Sequence, residues 1–139
     1  MALVQKSLRI PKNIVKEIQQ IAKDMQKDFS STANELLEEA VKLHCCPGIL
    51  FTEGVTGRRA RVAGTGIEVW EIIAIYESIG KSLHRLRQAY YWLTDQQLKA
   101  ALGYYKAYPD EIDRLIVRNE SWTPKRVHKR HPFLPAGNK

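Results

Sequence analysis

A chain of 139 residues with 44% hydrophobic and 27% charged side chains has a globular composition, enough for one domain or two very small ones. No apolar run approaches the roughly 18–20 residues of a membrane span, and Ala2-Leu3-Val4 ahead of Gln5 and Lys6 is too short for a secretory leader. No membrane partner is therefore expected, and a cytoplasmic, nucleoid-associated location is.

The formal charge of +7 is unevenly spread. Residues 1–45 carry seven bases against six acids, 46–120 carry ten against nine, and 121–139 carry five bases with no acid. The same divisions serve as the expected organisation: a unit over 1–45, a second over 46–120, and a basic extended tail over 121–139.

The first element alternates. Val4, Leu8 and Ile10 fall on one face and Gln5, Ser7 and Arg9 on the other, the period of a half-buried strand. Lys6 interrupts the apolar face, so the alternation is regular from Ser7 onward. Pro11 ends the strand and suits the first turn of a helix, where its missing N–H costs nothing. Ile14, Ile18, Ile21, Ala22 and Met25 form one apolar stripe, which predicts a helix from about Pro11 to Lys27. Phe29-Ser30-Ser31 reads as a turn. Thr32, with Glu35 three residues on, reads as a capping box opening a second helix. Its stripe is Ala33, Leu36, Leu37, Ala40 and Val41, and it ends before Pro47-Gly48. The adjacent Cys45 and Cys46 suit neither a relaxed disulfide nor a zinc site; a reduced pair and no metal are expected.

The second half opens with a hairpin, Ile49-Leu50-Phe51 and Ala60-Arg61-Val62 flanking Glu53-Gly54-Val55-Thr56-Gly57. After the turn Gly64-Thr65-Gly66, the residues Val69, Ile72, Ile73, Tyr76 and Ile79 take helical spacing until Gly80. Ser82 can cap a short helix bearing Leu83, Leu86 and Tyr90. Thr94 with Gln97 is a further capping box, opening a helix with Leu98, Ala101, Leu102 and Tyr105. Pro109-Asp110-Glu111 reads as the first turn of a last helix, with Ile112, Leu115 and Ile116 inward. Beyond Asn119 periodicity stops.

A strand and two helices in about forty-five residues give too little core for a stable monomer, and the strand has no partner in its own chain. A two-fold dimer that pairs two such strands remedies both. Ser7-Leu8-Arg9-Ile10-Pro11, the Ile-rich first helix and Thr32-Ala33-Asn34-Glu35-Leu36-Leu37-Glu38-Glu39-Ala40-Val41 resemble the ribbon-helix-helix repressor family, whose paired strands enter the DNA major groove. The resemblance implies that Gln5, Ser7 and Arg9 face base edges: Arg suits guanine, Gln adenine, and Ser either donates or accepts. It also implies that the start of the second helix, at Ser31, Thr32 and Ala33, holds a phosphate through backbone N–H groups.

Gly57-Arg58-Arg59-Ala60-Arg61-Val62-Ala63-Gly64-Thr65-Gly66-Ile67-Glu68-Val69, then Ile79-Gly80-Lys81-Ser82, Leu93-Thr94 and Ala100-Ala101-Leu102, resemble a domain-of-unknown-function family linked to VapB-like antitoxins. The likeness runs from about Pro47 to Ile116 and implies a small helix-turn-helix-like fold and a PIN-like nuclease toxin as partner. The family often has Gly-Thr-Arg where this chain has Gly64-Thr65-Gly66, so any role of that Arg is missing. The would-be recognition helix from Thr94 to Ala107 is poor in phosphate-binding charge, whereas Arg58, Arg59 and Arg61 are candidates for a DNA-backbone clamp. Trp70, Tyr90, Tyr91, Trp92, Tyr104, Tyr105 and Tyr108 are dense for so small a unit; those left outside the core would make a protein-binding face.

The tail combines Lys125, Arg126, Lys129 and Arg130 with Trp122, Phe133 and Leu134, which suits a segment that folds onto a partner. Trp122, Arg126, Lys129, Arg130 and Phe133 are accordingly the toxin-binding candidates. No phosphate loop, dinucleotide turn or nucleophile–base pair occurs, so neither an enzyme nor a cofactor is expected. The sequence reads as a mainly α protein, a ribbon-helix-helix unit followed by a helical domain with a β-hairpin. It is expected to form a homodimer or higher even-numbered oligomer. Its expected function is that of an antitoxin that binds a double-stranded DNA operator and neutralises a cognate PIN-like toxin. The alternatives are a stand-alone repressor or architectural DNA-binding protein, and a pure assembly module.

Overall fold

The computed structural model describes residues 2–54 and 57–119. Six helices and one two-stranded antiparallel hairpin are found among them, so the protein is mainly helical. The chain divides into two compact units, Met1–Cys45 and Cys46–Lys139.

The first unit holds helices α1 (Lys12–Asp24) and α2 (Phe29–Cys45), with residues 2–11 in no regular hydrogen-bonded structure. Pro11 precedes α1, and its carbonyl accepts from Ile14 N and Val15 N, starting the helix where a missing N–H is harmless. The helix ends three residues earlier than its apolar stripe implies. Gln26 adopts φ +55°, its N–H bonds to the Lys23 carbonyl, and Lys27 N bonds to the Ala22 carbonyl. That is a Schellman termination with Gln in the position that Gly usually takes. The second helix starts three residues earlier than expected. Asp28, and not Thr32, stands at its head: the Asp28 carboxylate accepts from Ser31 N at 3.2 Å. Thr32 lies inside the first turn with its hydroxyl on the Asp28 carbonyl at 2.9 Å, and Glu35 pairs with Lys27 at 2.7 Å, so the expected Thr32–Glu35 capping box does not form.

The second unit is built around α3. Strands β1 (Ile49–Gly54) and β2 (Gly57–Val62) pair in register from Ile49 with Val62 to Gly54 with Gly57. The helices α3 (Val69–Ser78), α4 (Leu83–Ala89), α5 (Asp95–Ala107) and α6 (Pro109–Asn119) follow. Val69, Ile72 and Ile73 form one buried stripe along α3, which packs on β2, α4, α5 and α6. Val62, Val69, Ile72, Ile73, Leu86, Leu98, Tyr104 and Ile112 are fully buried together. Each such side chain contributes about 1.5–3 kcal/mol of burial, so this unit has a real core. Two of its caps, at α4 and α5, are the expected ones. Ser82 Oγ accepts from Arg85 N at 3.2 Å, and Thr94 and Gln97 exchange both bonds of a capping box at 3.1 and 2.9 Å. Gly80 at φ +75° closes α3 with the same bond pattern that Gln26 makes in the first unit.

Candidate nucleic-acid interface

Alternation in the N-terminal segment leaves Gln5, Ser7 and Arg9 exposed, as a base-reading face requires, but it leaves Val4 and Leu8 exposed too. Among the described residues neither face of residues 2–9 is covered. The helices behind it are in the same condition. Ala22 and Thr32 are the buried residues of the first unit among those described, while Ile14, Leu36 and Leu43 are exposed and Leu37 and Val41 reach 57% exposure each. Exposed apolar surface on this scale is uncommon in a soluble monomer.

The start of α2 differs from the expected phosphate cradle. Ser31 is exposed, Thr32 is buried and Ala33 half-buried, all within the first helical turn. The Ser31 N–H is held by the Asp28 carboxylate, and hydrogen bonding first from the Ser31 side chain and then from this N–H draws the Asp28 pKa below its ordinary value. An ionised carboxylate therefore occupies the place where a phosphate was expected.

The hairpin arginines are held in the second unit. Arg59 Nη1 lies 3.2 Å from Glu68 Oε1, with side chains 14% and 19% exposed. Arg61 donates to the Gly66 carbonyl at 2.7 Å and lies 3.9 Å from Glu68 Oε2. Arg58 bonds to Glu53 at 3.2 Å and to the Phe51 carbonyl, and is the more exposed of the three. Trp70 Nε1 also donates to Glu68 Oε1, at 3.1 Å. Glu68 thus ties β2 to α3, and two of the three arginines serve that tie. In the expected recognition helix α5, Asp95 accepts from Arg87 at 2.8 Å and Gln97 reaches the Ala63 carbonyl at 3.4 Å.

Sequence pattern missed Asp28 and Glu68. Asp28 is a favoured cap type three residues ahead of Ser31, a signal hidden by the better-known Thr-x-x-Glu spacing. Glu68 with Glu71 follows the same spacing, and the Glu71 carboxylate accepts from Glu68 N at 2.9 Å, but Glu is seldom read as the first member. The aromatic set divides: Tyr104 is buried, Trp70, Tyr90, Tyr105 and Tyr108 are half-buried, and Tyr91 and Trp92 are exposed. Cys45 is exposed and Cys46 buried, and neither takes part in a disulfide. Among the described residues there is no cluster of metal-ligating side chains, and no helix is long and apolar enough to cross a membrane. Trp122, Arg126, Lys129, Arg130 and Phe133 lie outside the described residues.

No curated protein matches the chain at a significant level. The family described as "Protein of unknown function (DUF433)" matches residues 49–105, from β1 into the last turns of α5. A DUF433 member protein from Anabaena variabilis, known from its crystal structure, is 30% identical to this chain, with 78% of this chain and 99% of that one covered and a TM-score of 0.44. By that identity over nearly the whole relative, and by the family pattern across the hairpin and three helices, the chain belongs to the DUF433 family.

Proposed function

We propose that the chain is a dimeric, ribbon-helix-helix-type protein that binds operator DNA through its N-terminal strands and acts as an antitoxin. The observation that carries the first part is the uncovered apolar surface of the first unit, where Leu37 and Val41 stand open and residues 2–11 have no strand partner among the described residues. A second copy would cover that surface and pair the two strands, burying Leu8 and Ile10 and leaving Gln5, Ser7 and Arg9 toward the major groove. Ser31 and its neighbours are the weaker part of the interface, because Asp28 repels phosphate there.

The antitoxin part rests on the resemblance of the second unit to VapB-associated domains, with Arg126 and Arg130 of the tail suited to the carboxylates of a PIN-like active site. Titration of Arg9→Ala against the operator tests the DNA reading: a loss of about 1–3 kcal/mol with relaxed sequence preference is expected. An unchanged affinity and selectivity would remove the strand as the reader. Co-purification from the native operon tests the partner. Recovery of the dimer alone, bound to DNA with no nuclease, would reduce the reading to a stand-alone repressor.

A further inference from the structure

The second unit carries a surface of another kind on α4. His84, Arg85, Arg87 and Gln88 are exposed on this helix, with Lys81 exposed just before it, while Leu86 is buried and Leu83 and Tyr90 pack on the core. The chain leaves the helix through Tyr91 and Trp92, which are 81% and 59% exposed. The two rings meet edge to face at 5.1 Å and 89°, and Trp92 also leans on the half-buried Tyr90 at 5.5 Å. Exposed aromatic rings held in place by their neighbours are a costly feature for a surface with no ligand.

Charge concentrates at the same place. Residues 81–95 hold three bases against one acid, and that acid, Asp95, already accepts from Arg87; the rest of 46–119 holds seven bases against seven acids. The net charge of the described part of the unit therefore resides on this segment. Aliphatic character does not: the unit's large exposed aliphatic side chains, Leu50, Ile75 and Val117, belong to β1, α3 and α6.

We propose that α4 and the turn after it form a binding site for single-stranded nucleic acid, with Lys81 and Arg85 on the phosphates and Tyr91 and Trp92 stacked on unpaired bases. Every base offers a π-face to a ring when unpaired, whereas in a duplex those faces are stacked on each other. A phosphate contact alone would have no use for the rings. A protein partner would ordinarily be met by aliphatic anchors as well as aromatic ones, and this surface lacks them. The site is separate from the duplex reading of Gln5, Ser7 and Arg9 and stands or falls independently of it.

The test is fluorescence anisotropy of a labelled oligothymidylate of about twelve nucleotides, titrated with the full chain at several salt concentrations. Tyr91→Ala and Trp92→Ala are each expected to weaken binding roughly fivefold to a hundredfold, with Trp92→Phe restoring most of the loss. Arg85→Ala should lower the slope of log affinity against log salt by about 0.7. None of these changes should alter binding of an operator duplex. Equal oligonucleotide affinity for wild type and Trp92→Ala overturns the proposal, as does an equal loss on duplex and single strand. Poly-glutamate binding that depends on the two rings while the oligonucleotide ignores them would assign the surface to an acidic protein instead. Arg85→Glu, a change at a solvent-exposed position, keeps the test decisive if a ring variant folds poorly.

Discussion

Arg59 and Glu68 face each other across the junction of β2 and α3, with Nη1 and Oε1 3.2 Å apart and both side chains largely withdrawn from water. Glu68 also receives the Trp70 indole N–H, and Arg61 stands 3.9 Å from its other oxygen. Removing the carboxylate strands a guanidinium in a poorly solvated place, the costlier way to break such a pair. Glu68→Ala should lower the unfolding free energy of the full chain by about 2–4 kcal/mol in urea, less than the figure for a fully buried pair because water still reaches this one. Arg58→Ala, which breaks the exposed pair with Glu53, should cost no more than about 0.5–1 kcal/mol. An equal cost for both changes would mean that Glu68 is not the tie between hairpin and helix.

Val41 gives a clean separation between a monomer and a dimer. It is exposed within its own chain, so in a monomer Val41→Asp should change stability by no more than about 0.5 kcal/mol. Buried against a second copy, the same aspartate would be an unpaired carboxylate in an apolar interface. The expected result is dissociation to monomers by light scattering at micromolar concentration, with loss of duplex binding. A variant that remains dimeric would place the interface elsewhere.

How much of this was legible in the sequence depended on whether the deciding contact was local. Ser82 and Thr94 mark helix starts by bonds that reach three residues, Pro109 does so by its fixed φ in the first turn, and all three stand where their pattern places them. The end of α1 was not legible, because nothing in the pattern marks Gln26 for a left-handed conformation. The start of α2 was hidden by two competing caps four residues apart, of which Asp28 won. For the interface, alternation does not separate Gln5, Ser7 and Arg9 from Val4 and Leu8, because all five are exposed in a segment without a strand ladder. Arg59 and Arg61 read as free charges because their partner Glu68 lies nine and seven residues away on a different element. Distance in sequence, not chemistry, concealed that role.

Two left-handed positions should respond in opposite ways. Gly48 has φ +89°, and a Cβ there would lie 3.1 Å from the Ala100 Cβ on α5, so Gly48→Ala adds strain and a close contact together. A loss of about 1–3 kcal/mol is expected. Gln26 already bears the strain of φ +55°. Gln26→Gly should stabilise the first unit by about 0.5–1 kcal/mol, since glycine takes that conformation without the Cβ penalty. Thermal unfolding of the two variants checks both signs, and a destabilised Gln26→Gly would show that the side chain makes a compensating contact.

Acid should act on the two units in opposite directions. Asp28 caps α2, and its hydrogen bonds from Ser31 hold its pKa below the ordinary 3.8. A folded-state pKa that is depressed contributes stability that is present above the unfolded value and lost as pH falls through the folded one. Glu71 is shifted the other way, above the ordinary 4.5, chiefly because burial disfavours its charge; the bond from Glu68 N opposes this, and the nearby Glu68 carboxylate adds to it. Its ionised form therefore costs stability, and that cost sets in as pH rises from 4.5 through the folded value. Asp28→Asn and Glu71→Gln remove the two titrations while keeping an acceptor at each site. Relative to Asp28→Asn, wild type should lose stability as pH falls below about 4. Relative to Glu71→Gln, wild type should gain it on acidification toward 4.5, and the variant should be the more stable protein at neutral pH. Parallel pH profiles for wild type and both variants would mean that neither carboxylate is held as the geometry implies.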